Sequence, residues 1–363
     1  MLYFGCDLHK KSTTFTVKDE SGKKLSQEKV PNIPHEIKEY VNRFPGEKTA
    51  TVEATFNWFW FVDLMEDLTE KTILAHPGKT KAILQARAKT DKIDSSGLAE
   101  LTRVNLIPKV HIPPKEIRDI RELLRYRTGL VRYRTSVKNK THSILHKNGI
   151  LNTFSDLFSE KGKQWLCEIP LRPCYKYILT NYIDLIQFIN NLISQVEKDI
   201  YSKPLKHDKE IMLLRELPGI GELFAFHIKY EIVTIDRFYG DKHFVSYAGL
   251  APSTKQSAEL TRHGGLIPQC NHWLKWVLIE AAHHARRHPW FRPTYERVLL
   301  RHGKNIAKIA VARKLARVIY FMLSRKEKFR GHKETSTKRV SPRGHGPQRP
   351  NSLNESTVTR ANR

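Results

Sequence analysis

The chain has 363 residues, with 63 lysines and arginines against 37 aspartates and glutamates, a formal net charge of +26 and 40% hydrophobic residues. This length and apolar content allow two or three domains with real cores, and the charge points to a polyanionic partner, most simply nucleic acid, bound through counterion release. No apolar run approaches the ~20 residues of a membrane helix, and Asp7, His9, Lys10 and Lys11 interrupt any early hydrophobic segment. Cys6, Cys167, Cys174 and Cys270 show neither metal-ligand spacing nor a disulfide framework, so a reducing cytoplasm without a membrane partner is expected.

Residues 1 to about 110 alternate strand-like and helix-like segments, which predicts an α/β domain with a mixed sheet. Leu2-Tyr3-Phe4-Gly5-Cys6 reads as a buried strand closed by Asp7, and Ser12 to Val17 as its hairpin partner. A helix near 35–44 precedes the strand 49–53, which ends on Glu53, and an aromatic helix near 56–68 leads to a strand over 72–75. Asp91 and Asp94, three residues apart, share one face of a predicted helix and would repel each other unless a cation sat between them. Four carboxylates at strand and helix ends suit magnesium, a hard ion that keeps waters and phosphate oxygens among its ligands. A charge on an apolar first strand is costly unless paired or metal-bound, which singles out Asp7 against the alternative of four ordinary surface acids.

From Pro113-Pro114 the pattern turns helical. Between Lys115 and Lys147 ten basic residues stand against three acids, and Tyr126 and Tyr133 are interleaved with them. Arg118, Arg121, Arg125, Arg132, Arg134 and Lys138 are the expected nucleic-acid contacts of this stretch, with a solvated helix face as the plainer reading. A second apolar-periodic helix near 177–200 is expected to pack back on the first as an antiparallel coiled-coil arm. Leu217-Pro218-Gly219-Ile220-Gly221 resembles the hairpin of helix-hairpin-helix modules, where Gly219 and Gly221 would bring backbone amides to a phosphate, or else a tight interhelical turn. His283, His284 and His288 read as one helix without the partners of a zinc set, and the helix over 306–323 as a packing helix with a basic rim. The segment 326–363, rich in Ser, Thr, Pro and Gly, reads as a disordered basic tail.

A second chemical centre lies in Phe244 to Ala258, followed by Arg262-His263-Gly264-Gly265. It is a basic loop of small residues whose serines, Ser246, Ser253 and Ser257, offer hydroxyls beside Lys255 and Arg262, though serine in such a loop is usually a turn former.

Gly-Cys-Asp7-Leu-His-Lys, Thr-Val-Glu53-Ala-Thr, Lys-Thr-Asp91-Lys-Ile-Asp94, Pro-Gly-Ile-Gly, Tyr-Ala-Gly-Leu-Ala-Pro and Gln-Ser257, in that order over residues 1 to about 325, resemble the DEDD transposases of the insertion-sequence-110 family, relatives of the Piv invertase. The resemblance implies a RuvC-like domain of the RNase H fold over 1–112, a helical coiled-coil arm over 113–205, and over 206–325 a mainly helical transposase domain with a helix-hairpin-helix-like element and a nucleophilic serine. It further implies that Asp7, Glu53, Asp91 and Asp94 bind Mg2+, with Mn2+ as a substitute, and that Ser257 forms a covalent serine–DNA intermediate, activated by the metal of the same or a neighbouring subunit. The partners so implied are DNA, as element ends and target, a bridge RNA, and further copies in a dimer or tetramer, in a prokaryotic, nucleoid-associated setting. Two features depart from the family pattern: Ala258 replaces a common glycine, and 266–271 lack the usual lysine, for which Arg262 or Lys275 could substitute. A RuvC-type structure-specific endonuclease using activated water, and a catalytically decayed nucleic-acid-binding protein, are the competing readings.

Overall fold

A computed structural model describes residues 1–84, 90–201, 208–257 and 260–331, with the side chains of 254–263 left out of the description. The chain divides into two compact units, Met1–Arg118 and a second opening at Asp119.

In the first unit, β1 (Leu2–Leu8) pairs antiparallel with β2 (Ser12–Lys18) on one side and parallel with β4 (Lys48–Glu53) on the other. Outside these lie β3 (Lys24–Pro31), antiparallel to β2, then β5 (Lys71–Ala75), parallel to β4, and a two-residue β6 (Lys109–Val110). The sheet order is therefore β3-β2-β1-β4-β5-β6. β3 is a strand that periodicity did not predict, because its polar sequence becomes a strand only through its ladder to β2.

Alternation along β1 divides its residues between two layers. Phe4, Cys6 and Leu8 enter the main core with Phe15, Val17 and Val52, covered by α1 (Pro34–Asn42) and α2 (Trp58–Glu66) through Ile37, Tyr40, Phe61 and Met65. Gly5 and Asp7 face the other side, where α4 (Asp91–Arg103) lies after the short α3 (Pro77–Leu84). A β-carbon on Gly5 would sit 1.9 Å from the Ser95 carbonyl oxygen, so only glycine lets α4 pack this close. Thr102 of α4 donates a 2.7 Å hydrogen bond to Thr51 Oγ1, tying the helix to β4 as well.

The second unit is mainly helical. The helix α5 (Lys115–Lys147) begins in the first unit, α6 (Glu160–Glu168) follows, and α7 (Pro173–Tyr201) runs antiparallel to α5. Arg127 bonds Glu197 and, one turn pair later, Arg134 bonds Asn190, while Leu145 and Leu179 share an apolar cluster at the far end. After α8 (Lys209–Arg215), α9 (Glu222–Ile232) and α10 (Asp241–Tyr247), the expected basic loop is instead a β-hairpin, β7 (Pro252–Ser257) and β8 (Leu260–Leu266). The unit closes with α11 (His272–Ala285) and α12 (Arg292–Arg325), the latter broken at Gly303, whose φ is +78°. Ala258, and the tail from 332 onward, lie outside the described residues. Among the described residues no helix is long and apolar enough to cross a membrane.

Candidate active site and nucleic-acid surfaces

Asp7 ends the inward face of β1, and Glu53 closes β4 one residue past the Cys6–Val52 pair, so both stand at the same sheet edge. Thr90 caps α4, its hydroxyl accepting from the Ile93 amide, which places Asp91 and Asp94 in the first helical turn across from Asp7. The positive end of the helix dipole lies at this turn.

His9, absent from the sequence-derived set, completes the cluster. Its Nε2 lies 3.1 Å from Asp7 Oδ2 and 3.2 Å from Asp91 Oδ1. Ligand atoms of Asp7, His9 and Asp91 all fall within 4.8 Å of one another, a spacing that fits a divalent cation. The two-residue step from Asp7 to His9 was visible in sequence, but that the imidazole bridges to Asp91 was not.

Burial raises the Asp7 pKa, and the neighbouring charges of Asp91 and Asp94 raise it further, against the opposing pull of His9. Desolvation would raise Asp91 too, yet His9 and Lys29 outweigh it and hold this carboxyl below its usual value. Lys29 Nζ stands 3.4 Å from Asp91 Oδ2. A desolvated carboxylate facing two like charges is the electrostatic setting that a hard cation relieves.

In the second unit, Ser257 ends β7, paired in register with Leu260, and Lys255 pairs with Arg262. Of the competing serines, Ser253 donates a 2.9 Å hydrogen bond to the Gly265 carbonyl, and Ser246 sits within α10. The neck of the hairpin is held from below. The Asn271 amide donates to the Tyr247 carbonyl, and the Asn271 side chain caps α11 and donates to Glu231 Oε2 at 2.8 Å and to the Tyr247 hydroxyl.

Glu231 is 1% exposed and is the centre of a polar network. Arg125 donates to both of its carboxylate oxygens, and Arg121 donates to the carbonyls of Tyr230 and Glu231. Beside it the buried His227 is pushed down to about 4 by desolvation first, with Arg127 and Arg125 adding to the effect.

The basic residues expected to face nucleic acid are thus engaged within the protein. Arg118 is buried, bonded to Asp63 and stacked on Trp58 and Phe59. Arg132 lies over Trp273 and Trp276, Arg134 bonds Asn190, and Lys138 lies over Phe158. Tyr126 and Tyr133 are exposed. Gly219, at φ +84°, makes the turn between α8 and α9, and a β-carbon there would sit 2.4 Å from the Ala281 carbonyl oxygen of α11. The expected three-histidine helix is split: His283 and His284 belong to α11, whereas His288 follows it in a turn, its Nδ1 accepting from the Trp290 amide.

A mixed sheet with carboxylates at adjacent strand ends and at a facing helix start, joined to a helical unit, fits an RNase H-like domain followed by a helical one. A profile of DEDD type described as "Transposase" matches residues 4–148, and one described as "Transposase IS116/IS110/IS902 family" matches residues 212–296. The chain belongs to the DEDD transposases of the IS110 family and is a DNA-processing enzyme, a transposase. It is 24% identical over 277 residues to the "Transposase for insertion sequence element IS1111A" of Coxiella burnetii, which covers 71% of this chain and 73% of that protein. It is 21% identical over 314 residues to the "Probable family 20 transposase" of Pseudomonas aeruginosa, 81% of this chain and 89% of that one. With the "Transposase for insertion sequence element IS1328" of Yersinia enterocolitica it shares 23% identity over 244 residues, 64% and 71% of the two chains.

Proposed function

We propose that this transposase cuts and rejoins DNA through a covalent serine–DNA intermediate, with Asp7, Glu53, Asp91 and Asp94 holding Mg2+ or Mn2+ and Ser257 as the nucleophile. The observation that carries the reading is the convergence of Asp7, His9 and Asp91 within 4.8 Å at the end of β1. A divalent ion held by these residues would neutralise charge on the phosphate under attack.

Ser257 Oγ forms a bond to phosphorus as the P–O bond to the departing strand breaks. The serine proton passes by way of a neighbouring base to the departing oxygen, which leaves as a hydroxyl. Because the bond energy is kept in the phosphoserine link, the reverse attack by another strand's hydroxyl rejoins DNA without an external energy source. Gly219, Gly221, Lys255 and Arg262 hold backbone phosphates, the α5–α7 pair acts as a coiled-coil arm, and a bridge RNA pairing with element ends and target selects the DNA for a homo-oligomer.

The test uses wild type and Ser257→Ala with labelled element-end DNA, guide RNA and Mg2+ on denaturing gels. Wild type should give a protein–DNA adduct and Ser257→Ala none, with binding retained. An adduct lost in Ser253→Ala but kept in Ser257→Ala moves the nucleophile, and cleavage with no adduct in wild type favours a RuvC-type endonuclease.

A further inference from the structure

The three antiparallel strands place Asp7, Thr14 and Lys29 in one cross-strand row, since Asp7 pairs with Thr14 and Thr14 with Lys29. Residues directly opposite one another on paired strands share a face, so this row runs from the metal-binding carboxylate outward to the sheet edge, facing the start of α4. Beside it opens a cleft of about 540 Å³, lined by Thr14, Gln27, Lys29, Thr90, Asp91 and Lys92, with Glu28 at its rim turned to Arg43.

The next row inward shows what a satisfied version looks like. There Thr16 exchanges a hydrogen bond with Ser95 and accepts one from Gln27, whose amide also donates to the Lys92 carbonyl. Thr14 differs. It is 3% exposed, and its hydroxyl has no hydrogen-bond partner among the described residues. A buried hydroxyl left unpartnered costs about 1–3 kcal/mol, so it is expected to serve a ligand that supplies the missing bond.

The groups around it specify that ligand's charge. Lys29 brings an ammonium on a flexible stem, now resting on Asp91, and the exposed Lys92 brings a second cation. The capped first turn of α4, a helix of 13 residues, adds the positive end of its dipole. Of the acids near the cleft, Glu28 is paired with Arg43, while Asp91, with Asp7 and Asp94 beside it, would repel an anion until a divalent ion offset their charge. Lys29 is then free to turn from Asp91 to a phosphate oxygen.

We propose that Thr14, Lys29 and the first turn of α4 form a subsite for one backbone phosphate of the DNA strand being cut, next to the phosphate that reacts, and that it fills only when the carboxylates hold their metal. Lys29 and Thr14 are positioning residues: they fix which phosphate reaches the metal. The inference rests on the reading of Asp7 and Asp91 as metal ligands.

The experiment is a cleavage series on element-end DNA with its guide RNA and Mg2+, in which single phosphates around the cut are replaced by neutral methylphosphonates. In wild type, one position beside the cut should raise KM about tenfold with kcat little changed, the size expected for one charge-assisted hydrogen bond. Lys29→Gln should itself show that rise in KM and be indifferent to the replacement at that position, while every other position keeps its effect. Thr14→Val, which preserves the β-branched shape, should show a smaller rise at the same position and melt no lower than wild type, having lost only an unpartnered hydroxyl. If Lys29→Gln stays as sensitive as wild type at every position while Asp7→Asn is inactive, the subsite is overturned and the metal site stands. Should Asp7→Asn cut DNA like wild type, the metal site fails and the subsite goes with it.

Discussion

Gly5 and Ser95 meet backbone to backbone: a β-carbon on Gly5 would lie 1.9 Å from the Ser95 carbonyl oxygen and 2.5 Å from the Ala99 amide nitrogen. That contact sets the height of α4 above the sheet, and with it the distance from Asp91 and Asp94 to Asp7. Gly5→Ala should therefore lose at least about 3 kcal/mol of stability, at the upper end of overpacking, because helix backbone cannot step aside as a flexible side chain would. Chemical denaturation measures the loss. Calorimetric titration with Mn2+ should also show weakened binding, although no ligand has been altered.

Asp7→Asn is expected to abolish DNA cleavage and yet raise the melting temperature of the metal-free protein. Burial and the charges of Asp91 and Asp94 raise the Asp7 pKa, so its ionised form destabilises the fold above that pKa, and the amide removes the penalty. Added Mg2+ or Mn2+ should stabilise wild type by mass action and leave the variant nearly unmoved. A variant that melts lower than wild type without metal, or gains equally from metal, contradicts this account.

Arg125 and Glu231 form a pair in which the acid is almost fully buried. Arg125→Ala should cost about 3 kcal/mol, since it strips a buried carboxylate of its bidentate partner while leaving Arg121 only 3.6 Å away. Glu231→Gln should cost less, because the amide can still accept from Arg125. The ordering of the two variants in urea unfolding decides the point, and equal costs would count against a buried charge as the cause.

His227 gives a signature in pH. Its pKa is about 4 in the folded protein against 6.5 as the ordinary value, so between those limits the unfolded chain binds more protons and stability rises with pH. Lowering pH from about 6.5 to 4 should remove roughly 3 kcal/mol, levelling off below that range. His227→Gln should flatten this part of the profile. Thermal unfolding across the range, at fixed salt, supplies the measurement.

The amino-acid sequence by itself determined that Asp7 and Glu53 would each lie at the end of an apolar strand and that Asp91 and Asp94 would share a helix face, because these follow from local periodicities of two and near four residues. That the two strands are neighbours came from the parallel β1–β4 pairing. The sequence also pointed to the long helix that opens at Lys115 and to a second helix near 177–200. Tertiary structure alone decided the rest. Lys24–Pro31 is a strand only because β2 offers it a ladder, and the Ser257 segment is a hairpin because its two halves pair with each other. The arginines of α5 read as a phosphate-binding face, and what the sequence did not show is that Arg118 and Arg125 also bond Asp63 and Glu231, 55 and 106 residues away along the chain. His9 reaches Asp91 and Lys29 flanks the same carboxylate because α4 rests on a glycine in β1. Charge and periodicity are properties of a segment, whereas a partner is a property of distance in space, which only packing fixes.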